Sequence, residues 1–256
     1  MSGPREMFRG RCAVVTGAGR GFGEQIAVDL ARLGASVAVL DVDAEAAEQC
    51  SRRLAELGAQ SLALECDVSD DDAVQRVFAP ARAELAPVDV LVNNAGIATF
   101  TPFLETAVEE FDRVLAVDYT SMWSCCRAVA PGMVERGFGR IVNISSVAGK
   151  RGGGFLGRSA CSTAKAGVIG FTKALARELA PHGVTVNAVA PGAMDTEMTK
   201  ALRDDPELLA RVLATIPAGR RGAVQDVADA VVFLCADLGG YLTGETIDVD
   251  GGVMME

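Results

Sequence analysis

The sequence predicts an α/β protein built on a doubly wound parallel sheet of the Rossmann type. Short β-branched segments alternate with longer segments of helical periodicity, and a glycine-rich turn joins the first predicted strand to the first helix. Half of the 256 residues are hydrophobic, which is enough for one large core. We therefore expect a single domain over residues 1–256.

The elements follow this alternation in order. The first strand is predicted at residues 11–16, and Ile26, Leu30 and Leu33 share one face of the helix that follows, which ends at Gly34. The second strand is predicted at residues 36–40. Further β-branched segments predict strands at residues 61–66, 89–92, 140–144, 184–188 and 246–249, with helices between them.

Charge and composition exclude several classes of partner. The net charge of -10 and the pI near 4.7 argue against nucleic acid or an anionic membrane and favour a small-molecule substrate. The first ten residues are too polar for a signal peptide, and no apolar run approaches about 20 residues. Seven cysteines without a C-x-x-C pair, and one histidine, His182, predict neither a disulfide framework nor a metal site. We expect a soluble, cytoplasmic protein.

The strongest local signal is the turn T-G-A-G-R-G-F-G after the first strand. Gly17, Gly21 and Gly23 would let the backbone approach a pyrophosphate, and the helix N-terminus behind them presents free N–H groups. Arg20 and Phe22 lie in the same turn, so we place them at the cofactor site as well. The turn predicts dinucleotide binding.

A carboxylate at the end of the second strand indicates which dinucleotide binds. Asp41 lies 18 residues after Gly23, close to the spacing of about 20 residues expected for a group that binds the adenosine ribose. Because a carboxylate also repels a 2′-phosphate, NAD is favoured over NADP, although Arg20 partly offsets this repulsion. Asp43 is interpreted as the N-cap of the next helix.

From about residue 10 to residue 252, the motifs resemble those of the short-chain dehydrogenase/reductase family. The matching motifs are the glycine-rich turn, C-D-V, N-N-A-G, I-S-S, a lysine at Lys165, P-G-A-M-D-T and a closing V-D-G-G. The resemblance implies which residues contact the adenine, the riboses and the carboxamide of the cofactor. They are Asp67, Val68, Asn93, Ala95, Gly96, Lys165, Pro191, Gly192, Met194 and Thr196.

The same resemblance implies a catalytic set that this chain changes at two of four places. The family transfers a hydride between nicotinamide and a carbonyl or alcohol carbon, while a tyrosine, a serine, a lysine and an asparagine handle the proton and the substrate oxygen. Ser146 and Lys165 match, whereas Cys161 stands in the tyrosine's place and Asp118 in the asparagine's. Neither Tyr119 nor Tyr241 is in register with Lys165.

Cys161 leaves three functions open. Its sulfur falls roughly 4 to 5 Å short of a phenol oxygen by bond counting, and a proton donor must approach its acceptor to about 2.6 to 3.2 Å, directly or through one water. The first alternative is an NAD-dependent oxidoreductase with an altered proton path through water or Ser146. The others are thiol-based or redox-neutral chemistry, and a cofactor-binding pseudoenzyme in which Cys161 is inert. Asp118 either pairs with Lys165 or caps a solvent channel.

The sequence also suggests a lid, a basic loop and surfaces for subunit contacts. Residues 194–218 are predicted to form a lid over the substrate pocket. Lys150, Arg151 and Arg158 either attract an anionic substrate or form a solvated rim. The family resemblance implies a homotetramer formed by helices at about residues 104–134 and 159–180 and by the C-terminal segment, with Met122 and Trp123 suited to burial there.

Overall fold

The computed structural model describes residues 6–153, 158–200 and 204–255. Seven strands form one sheet in the order β3-β2-β1-β4-β5-β6-β7, and every neighbouring pair is parallel. The strands are β1 (Cys12–Thr16), β2 (Ser36–Asp41), β3 (Ser61–Glu65), β4 (Val88–Asn93), β5 (Gly139–Ile144), β6 (Val184–Pro191) and β7 (Thr246–Val249). The predicted single-domain, doubly wound fold is confirmed.

Helices cover both faces of this sheet. They are α1 (Gly21–Arg32), α2 (Ala44–Glu56), α3 (Asp71–Glu84), α4 (Val108–Leu115), α5 (Ser121–Arg136), α6 (Val147–Arg151), α7 (Ser159–Leu179), α8 (Pro206–Leu213) and α9 (Val224–Cys235). A π-helical turn, Ala116–Thr120, joins α4 to α5. His182 is exposed in a short 3₁₀ turn after α7.

Element ends follow local chemistry. Helix α1 ends at Arg32, and Gly34 follows with φ +98°, a left-handed conformation that glycine adopts without steric cost. Strand β6 is three residues longer than predicted, because Val189, Ala190 and Pro191 continue its apolar run and pair with β7.

Alternating side chains of the strands build one core on each face of the sheet. On one face, Val15 and Val39 pack with Ile26 of α1 and Leu234 of α9. On the other face, Val14 and Ile141 pack with helices α3, α5 and α7. A strand buried on both faces reads as a continuous apolar run, which is what β1, β2 and β4 show.

This topology leaves a crevice at the carboxyl edge of the sheet, between β1 and β4. There the chain changes direction from β1–β2–β3 to β4–β5–β6–β7, and ligands of doubly wound proteins bind at such a switch point. In the part of the chain that the structure describes, no group of three or more potential metal ligands comes together. Nor does any helix there combine the length and apolar character needed to cross a bilayer.

Candidate active site

The crevice is closed at its base by hydrogen bonds between β1 and the segment after β4. The Thr16 hydroxyl oxygen accepts from the backbone N–H groups of Asn94 and Ala95, each at 3.0 Å. In return, the Asn94 side-chain amide donates to the carbonyl oxygens of Thr16 and Gly17 at 2.9 Å. The sequence motifs T-G and N-N-A-G thus meet as one joint. The family resemblance implies that residues 93–96 lie beside the adenosine ribose, but no sequence pattern predicts the bonds between Asn94 and Thr16.

The glycine-rich turn is built for close backbone approach. Gly17 and Gly21 have φ of +60° and +63°, which side chains rarely tolerate, and a Cβ at Gly23 would collide with the Gly17 carbonyl and the Asn94 amide. Helix α1 begins at Gly21 with no side-chain cap from Arg20. Its first N–H groups therefore remain available to an anionic ligand.

Asp41 holds this turn in place. Its two carboxylate oxygens accept from Gly19 N at 2.8 Å and from Asp43 N at 3.0 Å, and the side chain is almost fully buried. Asp43 caps α2 through Ala46 N at 3.1 Å, in agreement with its interpretation as an N-cap. Asp41, which is predicted to bind the ribose, thus also accepts a hydrogen bond that holds the glycine-rich turn.

The predicted adenine contacts lie after β3. Asp67 accepts from the hydroxyl of Ser69 at 2.6 Å, from Ser69 N at 3.0 Å and from Arg113 at 3.3 Å. These interactions, led by the Ser69 hydroxyl, lower the pKa of Asp67. Val68 is buried beside it in the core that contains α3. The Asp67 side chain is therefore fixed to α4 through Arg113.

The side chain of Asn93 faces the interior. Its amide donates to the Asn143 Oδ1 at 2.8 Å, and the Asn143 amide donates to the Thr172 hydroxyl of α7 at 2.9 Å. Only the backbone of Asn93 is left to line the crevice, together with Ala95 and Gly96. The buried amide chain sets the position of α7 relative to β4 and β5.

Asp118 and Lys165 are brought together in the crevice wall. The Lys165 ammonium lies 3.6 Å from Asp118 Oδ2 and donates to the Ile144 carbonyl at 3.0 Å. Asp118 Oδ1 accepts from Ile97 N at 2.7 Å. The pairing of Asp118 with Lys165, one of two alternatives left open by the sequence, is the arrangement observed.

The helix containing Asp118 is locally distorted at this point. Asp118 lies in the π-helical turn Ala116–Thr120, and its side chain is only 1% exposed. π-Helical turns are rare and concentrate at functional sites. A Cβ at Gly96 would lie 3.4 Å from both the Asp118 carboxylate and the Lys165 ammonium, an ordinary van der Waals distance, so the chain after β4 passes next to the pair.

Ser146 follows β5 at the same edge of the sheet. Its hydroxyl oxygen accepts from Ala148 N at 3.1 Å and caps the short helix α6, which leaves the hydroxyl proton free to be donated. The neighbouring Ser145 donates to the Lys165 carbonyl at 2.8 Å and ties α7 to the end of β5. Ser146 and Lys165 therefore flank the same part of the crevice.

The Cys161 thiol faces the loop after β4. Its sulfur accepts from Thr99 N at 3.4 Å and lies 3.8 and 3.9 Å from the carbonyl oxygens of Thr99 and Ile97. Ala160, Ala164 and Val114 complete an apolar cluster around it. Residues 97–99 therefore close over the thiol, and no sequence signal predicted this contact with Thr99.

Neither tyrosine lies in the crevice. The Tyr119 ring packs against Gly167 and makes an edge contact with Phe171, with ring centroids 6.4 Å apart. Tyr241 is fully exposed near the end of the chain. The structure therefore agrees with the absence of a phenol in register with Lys165.

The segment after β6 forms the far wall. Gly192 N donates to the Val249 carbonyl at 2.9 Å, and Thr199 donates to the Met194 carbonyl at 2.7 Å. The Met194 side chain is buried against Gly222, so only its backbone faces the crevice. Pro191 is buried in β6, and Thr196 begins the 3₁₀ turn Glu197–Thr199.

Two further groups lie around this wall. Lys150 donates to Asp248 at 2.7 Å and anchors α6 to β7, whereas Arg151 and Arg158 are exposed. A cavity of about 540 Å³ lies between Met194, residues 218–222, α9 and residues 248–254. Its four aspartates make it unsuited to a dinucleotide phosphate, and it contains neither Ser146 nor Lys165, so it is not the candidate site.

The described residues fit a bound dinucleotide. Gly17, Gly21 and Gly23 leave the space that a pyrophosphate needs, α1 presents uncapped N–H groups, and Asp41 stands at the end of the adjacent strand. A doubly wound sheet with such a turn at its switch point is the architecture of the dinucleotide-binding enzymes.

Comparisons with known proteins identify the family. A family profile described as enoyl-(acyl carrier protein) reductase matches residues 17–254. The 3-oxoacyl-(acyl-carrier-protein) reductase of Escherichia coli is 43% identical over 248 residues, which are 97% of this chain and 99% of that protein. The chain belongs to the short-chain dehydrogenase/reductase family, whose members named here are oxidoreductases, and it is an enzyme of that class.

Solved structures agree with this assignment. A 3-oxoacyl-(acyl-carrier protein) reductase with bound NAD from Brucella melitensis is 35% identical, with a TM-score of 0.91 over 99% of this chain and 94% of that chain. A structure from Beutenbergia cavernae, assigned as an NAD(P)-dependent gluconate 5-dehydrogenase and holding NADP at low occupancy, is 39% identical. Its TM-score is 0.91 over 98% of this chain and 99% of that chain.

The environments of the seven cysteines predict selective alkylation. Cys161 is 8% exposed, more than any other cysteine, and borders the crevice. Burial raises the pKa of Cys12 and Cys66 to about 11 and that of Cys50, Cys126 and Cys235 to about 12, and it raises the pKa of Cys125 well above its usual value.

We therefore expect a small alkylating reagent, used at about pH 8, to modify Cys161 first, because the other thiols are more deeply buried and remain protonated. Mass spectrometry of peptides after partial labelling measures the order. Cys161→Ser is the control and should remove the fast phase. Faster labelling of Cys66 or Cys50 in the folded protein would contradict the expected order.

Proposed function

We propose that this enzyme is an NAD-dependent oxidoreductase that interconverts a carbonyl and a secondary alcohol, and that its proton path does not use a phenol. The observation that carries the proposal is the convergence of Ser146 and the Asp118–Lys165 pair beside a dinucleotide crevice that contains no tyrosine. The bound nicotinamide supplies or accepts the hydride.

Each cofactor segment has a proposed partner. The turn with Gly17, Gly21 and Gly23 holds the pyrophosphate, with Arg20 and Phe22 beside it. Asp41 binds the adenosine ribose, and Asp67 and Val68 border the adenine. The remaining contacts, to the two riboses and the carboxamide, are proposed for the backbone of Asn93, Ala95 and Gly96, for the Lys165 side chain, and for Pro191, Gly192, Met194 and Thr196.

The proposed roles of the other catalytic candidates follow from their contacts. Ser146 has a free hydroxyl proton and orients the substrate oxygen. Asp118 is a positioning residue that provides a counter-ion for Lys165 and anchors Ile97. Cys161 fixes residues 97–99 through Thr99. Because Cys161 is only 8% exposed, this enclosure favours a structural role over attack on a substrate, although Cys161 is the most accessible of the seven thiols.

The substrate class is a small molecule with a ketone or secondary alcohol. Of the relatives described above, one is named for a 3-oxoacyl group on acyl carrier protein and one for gluconate, and both names describe this type of carbon centre. We propose residues 194–218 as the lid, of which 201–203 lie outside the described residues. Among the described ones, α8 and the 3₁₀ turn Glu197–Thr199 are helical. All seven cysteines are free thiols, which supports a reducing compartment such as the cytoplasm.

Hydride transfer tests the proposal directly. The purified protein should oxidise NADH, followed by nicotinamide absorbance, with at least one member of a panel of 3-oxoacyl thioesters, keto-sugar acids and simple ketones. Ser146→Ala should lower kcat by about 10²–10³ because one oxygen-orienting donor is lost. Ser51→Ala, on α2 and bonded to Ser61, is the control and should have no effect. Cofactor binding without any turnover would instead select the pseudoenzyme.

Cofactor preference tests the role of Asp41. NAD should bind more tightly than NADP. Asp41→Asn should lower the ratio of the NADP and NAD dissociation constants by about tenfold, because removing about 1.4 kcal/mol of charge repulsion corresponds to that factor. Fluorescence titration with both cofactors measures it. Asp43→Asn removes the same charge two residues away while keeping an N-cap, so it should change the ratio little. Equal affinities in the unaltered protein would rule out the proposed preference.

We also propose a homotetramer, and one exposed side chain makes the assembly testable. Met122 is buried in the chain's own core, contrary to its expected role at a subunit contact, whereas Trp123 is 43% exposed on α5. Trp123→Glu should therefore dissociate the tetramer, because a buried unpaired carboxylate is costly. Light scattering at micromolar concentration measures the mass. Leu57, equally exposed at the end of α2, provides the control Leu57→Glu. A monomeric unaltered protein would exclude the tetramer.

A further inference from the structure

The Lys165 ammonium is the best-placed proton donor in the crevice. An ammonium has three N–H donors. The Ile144 carbonyl accepts from one at 3.0 Å, whereas Asp118 Oδ2 at 3.6 Å is an ion-pair partner beyond hydrogen-bond distance. The remaining N–H donors are those proposed to hold the nicotinamide ribose and to reach the substrate oxygen. The Lys165 side chain is 13% exposed, so these donors have access to the crevice but little contact with bulk water.

The other proton-bearing groups are less suitable. The Cys161 thiol is enclosed by the backbone of Ile97 and Thr99. The Tyr119 ring packs against Gly167 and Phe171. The Ser146 hydroxyl is neutral and caps α6, and an alcohol gives up a proton far less readily than an ammonium.

The surroundings of Lys165 hold it as a charged, oriented group. Asp118 is almost completely buried and gives the ammonium a counter-ion, and Asp118 is itself fixed by Ile97 N at 2.7 Å. The Ser145 hydroxyl bonds the Lys165 carbonyl and fixes this turn of α7 against the end of β5. Backbone and side chain of Lys165 are thus both positioned from neighbouring strands.

We propose that Lys165 itself delivers the proton to the substrate oxygen, directly or through one water, with Asp118 as its positioning residue. This inference rests on the proposed function, in the direction of carbonyl reduction. The carbonyl carbon receives a hydride from reduced nicotinamide, and the π pair of the C=O bond moves onto oxygen. One N–H bond of Lys165 breaks and an O–H bond forms, leaving a neutral amine that regains its proton from solvent.

Chemical rescue tests this role. Lys165→Ala should lower the rate of carbonyl reduction by about 10²–10⁴, the range for loss of a positioned acid. Added methylammonium should restore part of that rate in proportion to its concentration, because it brings a charged N–H donor into the space left by the side chain. Tetramethylammonium has the same charge without a proton to give and should restore none.

A second variant separates charge from proton donation. Lys165→Arg keeps the positive charge and the N–H donors, but a guanidinium does not deprotonate at neutral pH. We expect Lys165→Arg to bind NADH within about threefold of the unaltered protein, by fluorescence titration, while losing turnover to the same extent as Lys165→Ala. Lys173→Ala, exposed on the same helix, is the control and should leave both unchanged.

The outcomes are distinguishable. Turnover by Lys165→Arg near that of the unaltered protein, or rescue by tetramethylammonium, would overturn the proton-donor role alone and leave the oxidoreductase proposal standing. Absence of any hydride transfer by the unaltered protein, despite NADH binding, would overturn both. Selective rescue by methylammonium, with NADH affinity retained in Lys165→Arg, supports Lys165 as the donor.

Discussion

The joint between Thr16 and Asn94 is the constraint on which the candidate site depends. β1 and β4 are adjacent in the sheet but separated by more than seventy residues of chain, and their carboxyl ends diverge into two different loops. Four hydrogen bonds among Thr16, Gly17, Asn94 and Ala95 hold these loops together. These bonds therefore fix the distance between the glycine-rich turn and the segment with Gly96 and Ile97, independently of how the helices pack on the sheet.

A second, buried polar network fixes the side of the crevice that carries Asp118 and Lys165. The amide chain from Asn93 through Asn143 to Thr172 fixes α7, and Asp118 binds both Ile97 N and the Lys165 ammonium. Buried polar groups of this kind are costly unless each finds a partner. Asn93 Oδ1 is the one atom of this network that lacks a partner among the described residues. Because the other partners come from β4, β5, α7 and the π turn, a shift of any one element would break bonds to several of the others.

The sequence predicted the fold, since the fold depends on patterns that are local along the chain, whereas the individual cofactor contacts stay predictions. Short β-branched segments located all seven strands, and the turn after β1 indicated the switch point. What the sequence did not predict depends on contacts distant in sequence. The inward direction of Asn93, the burial of Met122 and the closure of Thr99 over Cys161 follow from how the helices pack on the sheet. A sequence pattern indicates which residues form a strand or a helix. It does not indicate that the loop with Thr99 closes over the short side chain of Cys161.

The π-helical turn between α4 and α5 has a consequence for how this chain can vary. An α-helix advances about 100° per residue, and a π turn accommodates one extra residue without rotating the helix that follows. Loss of a single residue from Ala116–Thr120 would therefore restore regular helix there and leave α5 in its present orientation. Cys125 and Val129 of α5 would stay in the core, whereas Asp118 would lose the bulged position that places it beside Lys165. A chain without the extra residue could thus keep the same core and the same fold and still lack the Asp118–Lys165 pair.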